Sequence, residues 1–223
     1  LTGSLLWIAR NTRPDIMFAV IYLCRFANCY QAQHYVAAKR VVRYLVSTID
    51  KSLTFRRDDS TKCDKPRQIE IKTYSDSDWA SDSLDRRSFS GCVIYLNNCL
   101  VSWCSKKQAT VALSSVEAEY MALSDASRET LYVSNLISEF FQIVKPIPVY
   151  VDNKGAGFIA ENNINNKMTK HIDIRYHFVR YYIKDGTIEL FYVPTAANIA
   201  DALTKALVAE IHKRLLAKLL GIA

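Results

Sequence analysis

The chain has 223 residues, half of them apolar, and can bury the core of one large or two small domains. Its longest apolar run, residues 16–23, is too short to span a bilayer, so we expect no membrane partner. The six cysteines form no C-x-x-C pair and the histidines lack zinc-finger spacing, which disfavours a zinc site. The first residue is Leu1 rather than Met, which suggests a piece of a longer protein.

The net charge of +7 is distributed unevenly along the chain. Residues 1–72 hold 13 Lys and Arg against 6 Asp and Glu, whereas residues 73–223 hold 16 of each kind. A basic segment beside a neutral one indicates a polyanion that the first segment holds and the second acts on. On charge alone, a basic surface that serves solubility is an equally good interpretation.

Two helices are predicted in the basic segment. The first covers residues 14–26, has a proline in its first turn and is apolar nearly all round, so it should be buried. The second covers residues 33–46 and has one apolar face, with Lys39, Arg40 and Arg43 mostly away from it. That arrangement suits contact with a phosphate backbone, and it equally suits a solvated surface.

A polar stretch at residues 56–68 predicts a boundary between a helical segment, residues 1–65, and a second domain, residues 66–223. The second domain has the element order β-β-β-α-β-α-α-β-α. Its long helix should begin in a capping box at Ser114 and Glu117, and its last helix should run from Ala197 to about Leu220. Hairpin-linked strands followed by crossover helices predict an α/β (α+β) fold with a mixed sheet covered by helices.

Four acids stand at structurally demanding places in this domain. Asp76 and Asp152 end strands, Glu119 shares the apolar face of the long helix, and Asp201 lies in the first turns of the last helix. Burying such carboxylates together is costly unless they bind a cation, and hard oxygen ligands suit Mg²⁺. Any one of them alone could be a helix cap or a surface group, so the set carries the prediction.

Three other acids, by contrast, are expected to lie in a solvated loop: Asp78, Asp82 and Asp85.

Several motifs follow one another in order: TRPD at 12–15, KRVVRYL at 39–45, YSDSDWA at 74–80, DRRS at 85–88, SKKQ at 105–108, SSVEAEYMA at 114–122, KHIDIRYHF at 170–178 and ADALTK at 200–205. Over almost its whole length the chain resembles the Pol polyprotein of copia-type long-terminal-repeat retrotransposons. The resemblance implies the C-terminal end of a reverse transcriptase, thumb- or connection-like, in residues 1–65. It implies a ribonuclease H-like fold in residues 66–223.

The resemblance also implies a chemistry. Asp76, Glu119, Asp152 and Asp201 match the four acids that bind two Mg²⁺ ions, with Mn²⁺ as an alternative, and Glu117 is assigned to the cap. The implied reaction is hydrolysis of the RNA strand of an RNA–DNA hybrid. The implied partners are that hybrid and the upstream reverse transcriptase of the same polyprotein. We expect a cytoplasmic location, free or in virus-like particles, with the nucleus as the alternative.

Nucleic-acid contacts are predicted at three places besides the basic helix. Ser115 and Asn153 adjoin proposed metal ligands and could reach the 2′-hydroxyl, although each could simply cap a helix. The third place is the motif at 170–178, with His171, Arg175 and His177. Many ribonucleases H carry a histidine before the last acid, but residues 193–198 contain none, so that role is unassigned.

Two other functions compete with this hypothesis. A transposon relic could bind nucleic acid without cutting it, and an integrase-like transferase would share the sheet order and an acidic site. The motifs at 114–122 and 170–178 argue against the transferase. The YVDN at 150–153 resembles a polymerase signature, but its last residue is Asn and the segment is not in a predicted hairpin. We therefore expect no DNA synthesis.

Overall fold

The computed structural model describes residues 1–56, 68–162 and 173–222. The helices are α1 (Thr2–Asn11), α2 (Met17–Cys24), α3 (Ala32–Ser47), α4 (Ser115–Ser138), α5 (Lys154–Glu161), α6 (Asp173–Lys184) and α7 (Ala209–Leu220). The strands are β1 (Gln68–Ile69), β2 (Ile71–Asp78), β3 (Phe89–Leu96), β4 (Cys99–Lys107), β5 (Gln142–Ile143), β6 (Ile147–Val151) and β7 (Ile188–Tyr192). Short 3₁₀ turns stand at Pro14–Ile16, Thr195–Ala197 and Ile199–Leu203.

Five strands form one mixed sheet in the order β4-β3-β2-β6-β7. β2, β3 and β4 are antiparallel hairpin neighbours, whereas β6 runs parallel to both β2 and β7. The short β1 and β5 pair beside it as a separate parallel ribbon. This mixed sheet with helices on it confirms the predicted fold class and has the strand order of a ribonuclease H-like domain.

Helix α4 covers one face of the sheet. On β2, Ile71, Thr73 and Ser75 are buried, and Thr73 Oγ1 lies 2.7 Å from Thr130 Oγ1 of α4 in a hydrogen bond. Because side chains alternate along a strand, Lys72, Tyr74 and Asp76 point to the opposite face. The period of two in β2 therefore decides which of its residues can reach the site described below.

The opposite face is covered by the first helices, the turn Ile199–Leu203 and α7, which share one apolar core. Buried members of this core come from all of these parts: Leu5, Val20, Val93, Leu203 and Leu215. Trp103 of β4 donates from its indole nitrogen to the Ala9 carbonyl at 2.8 Å. The helical segment thus packs directly on the sheet. The division near residue 65 falls at residues 57–67, outside the described part of the chain, and stays a prediction.

A buried ion cluster fastens α2 to the loop after β2. Asp82 was expected in a solvated loop, but it is 3% exposed and pairs with both Arg25 and Lys107. Lys107 also contacts Asp85 at 2.7 Å. Although burial opposes ionisation, hydrogen bonds from Lys107, the Leu84 amide and Arg25 lower the pKa of Asp82. The expectation failed because both cations come from elements distant in sequence.

The prediction of one continuous helix from Ala197 to Leu220 is wrong. The chain instead makes the turn Ile199–Leu203 and then breaks before α7. Asn198 caps this turn, because its Oδ1 accepts a hydrogen bond from the Ala200 backbone amide at 3.2 Å. The side-chain nitrogen Nδ2 of Asn198 donates to the Ser75 carbonyl at 2.9 Å. These two hydrogen bonds hold the turn against the sheet. A continuous straight helix could not make both of them.

Gly91 of β3 permits that close approach. A Cβ at this position would stand 2.9 Å from the Ala200 carbonyl oxygen and 2.7 Å from Thr204 Cγ2. Any larger residue would push the turn off the sheet.

The N-terminal helices also differ from expectation. The sequence patterns did not predict α1, and residues 14–26 form a 3₁₀ turn followed by α2 rather than one helix. No helix in the described ranges combines the length and the apolar character that a membrane crossing requires.

Candidate active site

Three acids converge at the place where the neighbouring strands β2 and β6 end. Asp76 stands near the end of β2, Asp152 directly follows β6, and Asp201 lies in the turn Ile199–Leu203. The parallel register pairs Tyr74 with Tyr150, so the residues two positions later come level with each other. One carboxylate oxygen from each acid lies within 4.8 Å of the others.

Burial makes this group electrostatically unusual. Asp76 is 1% and Asp201 4% exposed. Burial, followed by the charges of Asp201 and Asp152, raises the pKa of Asp76 to about 8, against the opposing effects of Lys205 and Thr204. Burial likewise raises the pKa of Asp201, although Lys205 opposes this. Ionising both Asp76 and Asp201 at this spacing is costly unless a cation joins them.

Glu119 stands beside these acids on the second turn of α4. Its pKa is raised to about 10, first by burial and then by the charges of Asp76 and Asp152, while a hydrogen bond from the Ser77 amide opposes the rise. The neighbouring Glu117 has a different environment. Its carboxylate accepts from the Leu113 amide at 2.8 Å. Glu117 therefore closes the start of the helix while Glu119 faces the acids.

Two residues that the sequence reasoning did not assign complete the site. Thr204, fully buried, donates from Oγ1 to Asp76 Oδ2. Lys205 Nζ lies 2.9 Å from Asp201 Oδ1, in an ion pair four residues apart. Although burial opposes its charge, Asp76, Asp201 and Asp152 together raise the pKa of Lys205. For Lys205 the signal was available in the sequence, because a residue four positions after an acid can pair with it in a helical turn.

The donor set fits a hard divalent cation. All the converging atoms are carboxylate oxygens, the ligand type that Mg²⁺ and Mn²⁺ prefer, and their mutual spacing is compatible with shared ions. Apart from its ion pair with Lys205, Asp201 Oδ1 is buried without a hydrogen-bond partner among the described residues. A buried carboxylate oxygen in an acidic cluster that only a lysine neutralises can also bind a divalent cation.

The residues predicted to touch nucleic acid are spread over several elements. Lys39, Arg40 and Arg43 are all exposed on α3, with Lys39 Nζ 4.7 Å from the centre of the Tyr35 ring. Ser115 is the exposed first residue of α4. These four side chains are accessible, and their contact with nucleic acid stays a prediction.

The remaining predicted contacts have local partners or lie elsewhere. Asn153 caps α5 by accepting from the Ala156 amide at 3.0 Å. Arg175 donates to Asp125 at 3.0 Å and to the Met121 carbonyl at 3.2 Å, which ties α6 to α4. His177 is exposed on α6, and His171 lies outside the described residues.

Sequence relatives identify the family. The Pol polyprotein from transposon RE1 of Arabidopsis thaliana is 36% identical over 208 residues, which is 93% of this chain. The Pol polyprotein from transposon TNT 1-94 of Nicotiana tabacum is 34% identical over 91% of this chain. Over most of its length the chain is therefore homologous to part of the retrovirus-related Pol polyproteins of copia-type transposons. The resemblance inferred from the ordered motifs is confirmed.

The chain covers only a small part of those polyproteins, 14% of the RE1 protein and 15% of the TNT 1-94 protein. A secreted RxLR effector protein of Plasmopara viticola is 46% identical over 132 residues, 59% of this chain and 87% of that protein. No protein-family profile matches the chain.

A solved structure shares the fold in part. A foamy viral protease-reverse transcriptase in complex with double-stranded DNA has a TM-score of 0.50 at 13% identity, over 87% of this chain and 31% of that one. The ribonuclease H1 LC11, isolated from compost, has a TM-score of 0.46 at 15% identity, over 66% and 98% of the two chains. At 13% identity the likeness to the foamy viral protein is one of fold alone. The chain thus has a ribonuclease H-like fold, and its sequence is similar to part of the Pol polyproteins of retrotransposons.

Proposed function

We propose that this chain is an endonuclease that hydrolyses the RNA strand of RNA–DNA hybrids with two divalent cations, physiologically Mg²⁺. The observation that carries the proposal is the convergence of Asp76, Asp152 and Asp201 within 4.8 Å, with Glu119 beside them. Similarity to retrovirus-related Pol polyproteins supports it, because the reverse transcriptase that we propose as the upstream partner would leave an RNA strand to be removed. Mn²⁺ is the alternative ion for the same oxygen ligands.

Some residues of the site would bind the cations, and others orient the carboxylates that bind them. Asp76, Glu119, Asp152 and Asp201 would hold the ions, which supply an activated water and stabilise the leaving oxygen. Thr204 fixes the orientation of the Asp76 carboxylate, and the Ser77 amide does the same for Glu119. Ligands held in this way lose little freedom when a cation binds.

Substrate contacts come from both parts of the chain. The exposed cations of α3, Lys39, Arg40 and Arg43, would hold phosphates without reading sequence. Asn153 directly follows Asp152, and Ser115 precedes Glu119 by about one helical turn; both would sense the 2′-hydroxyl of the RNA strand. Arg175 and His177 of α6 are further candidates for contact with the hybrid, as is His171 on the evidence of its motif in the sequence.

The cellular setting follows from the family. The upstream reverse transcriptase of the same polyprotein is the proposed partner, since it would deliver the hybrid that this domain cuts. The proposed location is the cytoplasm, free or within virus-like particles, with the nucleus as the alternative.

The test uses the purified chain and an RNA–DNA hybrid with a labelled RNA strand. Cleavage should require Mg²⁺ or Mn²⁺, stop in EDTA and leave duplex DNA and duplex RNA intact. The Asp76→Asn variant is the matched control, because it keeps the side-chain shape and removes one negative charge. Equal cleavage of duplex DNA would overturn the proposal in favour of an integrase-like transferase. Binding of hybrid without cleavage under all these conditions would overturn it in favour of an inactive relic.

A further inference from the structure

A second site lies on the same sheet face as Asp76. A cavity of about 320 Å³ opens beside the start of β2, a volume in the range of small-ligand sites. Three cationic residues line it: Arg56, Lys72 and Lys218. No carboxylate side chain lines this cavity in the part of the chain that the structure describes.

Three separate segments form the walls, and hydrogen bonds fix each of them. The Thr54 amide donates to the Leu220 carbonyl at 2.8 Å, which joins the segment before Arg56 to the end of α7. The Tyr95 hydroxyl donates to the Lys218 carbonyl at 3.2 Å. These two bonds also occupy carbonyl groups at the end of α7 that would otherwise repel an anion.

The floor and rim of the cavity suit a nucleotide. Tyr74 forms part of the floor, with its ring stacked 4.7 Å from Tyr150 and edge-on to Tyr95 at 6.1 Å. Lys72 Nζ donates to Asn98 Oδ1 at 3.1 Å at the β3–β4 turn. Its other partner, Glu70 at 3.5 Å, is exposed, so that pair contributes little. Cations over an aromatic floor can hold a phosphate and a base together.

The position relative to the acids favours a strand over a free nucleotide. Lys72 precedes Asp76 by four residues on β2 and points to the same face, so their Cα atoms are about 13 Å apart. The turn Ile199–Leu203 covers β2 between these two places, so a bound strand would pass over the turn. At about 3.4 Å of rise per nucleotide, this path takes at least roughly four nucleotides. The surplus of positive charge in residues 1–72, which include Arg56 and Lys72, agrees with a polyanionic ligand.

We propose that this cavity binds a phosphate-bearing nucleotide unit of a nucleic-acid strand, a few nucleotides away from the acidic site. This inference goes beyond the proposed hydrolysis and does not depend on it. A chain that cannot cut would still bind a strand here.

The test measures binding of a fluorescein-labelled ten-nucleotide oligothymidylate to the full chain by anisotropy, in EDTA, over a range of KCl concentrations. Lys72→Gln and Lys218→Gln should each weaken binding several-fold. Each should lower the salt slope by about 0.7, the value for one phosphate contact on a single strand. Lys213→Gln is the matched control, because Lys213 is an exposed lysine of the same helix that does not line the cavity.

Melting temperatures near that of the parent chain establish that the variants are folded. Equal effects of Lys218→Gln and Lys213→Gln, or no effect of either, would overturn the site. Competition by thymidine monophosphate at the same concentration of phosphate groups would overturn the assignment to a strand in favour of a free nucleotide. Cleavage of hybrid, measured separately with Mg²⁺, reports only on the acidic site, so failures of the two proposals are distinguishable.

Discussion

Thr204 and Asp76, 128 positions apart in the sequence, are joined by a hydrogen bond in which the threonine hydroxyl donates to Asp76 Oδ2. Asp76 is one of the three acids that converge at the candidate site, and the charges of Asp201 and Asp152 both act on it. The bond links the orientation of this ligand to the turn that carries Asp201. Two of the proposed metal ligands are therefore positioned by a single short segment.

Replacing Thr204 with Val should lower the rate of hybrid cleavage about 10- to 100-fold, because the partners that orient metal ligands contribute effects of this size. The requirement for Mg²⁺ should rise as well. Thr204→Ser retains the hydroxyl and should restore most of the rate. The measurement is the cleavage rate as a function of Mg²⁺ concentration. Equal cleavage rates for Thr204→Val and Thr204→Ser would contradict an orienting role of the Thr204 hydroxyl.

The raised pKa of Asp76, about 8, predicts how stability depends on pH without metal. An acid that is easier to protonate in the folded than in the unfolded state stabilises the protein at low pH, and this stability is lost as pH rises through the folded pKa. In EDTA the melting temperature should fall between about pH 4 and pH 8. Asp76→Asn should flatten the fall, and saturating Mg²⁺ should remove it. A melting temperature that rises over this range in EDTA would contradict the electrostatic description of the site.

Lys205 should partly replace a cation in the metal-free protein, because its Nζ lies 2.9 Å from Asp201 Oδ1 among the acids. Lys205→Gln should lower the melting temperature in EDTA by about 2–4 °C, the shift for roughly 1 kcal/mol in a chain of this size. The gain in melting temperature on adding Mg²⁺ should become larger than in the parent chain. Lys213→Gln, on the exposed side of α7, serves as the control. An unchanged Mg²⁺ response would assign Lys205 to a surface ion pair.

The core shared by the helical segment and the sheet predicts one cooperative unit. Leu5 of α1 is 2% exposed in this core, whereas Trp7 of the same helix is 66% exposed. Leu5→Ala should reduce the free energy of unfolding by about 2–5 kcal/mol, and Trp7→Ala should change it by less than about 0.5. Urea denaturation followed by circular dichroism and by tryptophan fluorescence should give coincident transitions. Separate transitions would instead mean that the segment folds independently of the sheet.

The sequence predicted the site best where local pattern and tertiary role agree. Asp76 and Asp152 end strands whose alternation is plain, and Glu119 shares a helix face with apolar residues, so their convergence could be expected. The structure also brings Asp201 to Asp76 and Asp152. The predicted local structure of Asp201 was wrong, because the turn Ile199–Leu203 is held by a hydrogen bond from Asn198 to the sheet. Such tertiary bonds leave no periodic signal.

Other misses have the same origin. Asp82 looked solvated because its neighbours in sequence are polar, yet Arg25 and Lys107 bury it from distant elements. Thr204 lies within the motif at 200–205 but had no predicted role, since a threonine in a helical turn carries no mark of the carboxylate that it contacts across the fold.

The basic helix α3 supplies the last prediction. Lys39, Arg40 and Arg43 are exposed on it, and if they contact phosphates, each contact releases counterions from the nucleic acid. Replacing all three with Ala should weaken binding of every hybrid sequence alike. It should also lower the salt slope by about 0.9 for each duplex phosphate that is no longer neutralised.

Binding is measured in EDTA on two hybrids of unrelated sequence, so that cleavage does not interfere. The control variant replaces an equal number of exposed cations on α6 and α7 with Ala: Lys184, Lys213 and Arg214. Because both variants lose the same net charge, a difference in salt slope between them reports where the phosphates lie. The same slope for both would mean that α3 presents an ordinary solvated surface and that the surplus charge of the first third acts only at long range.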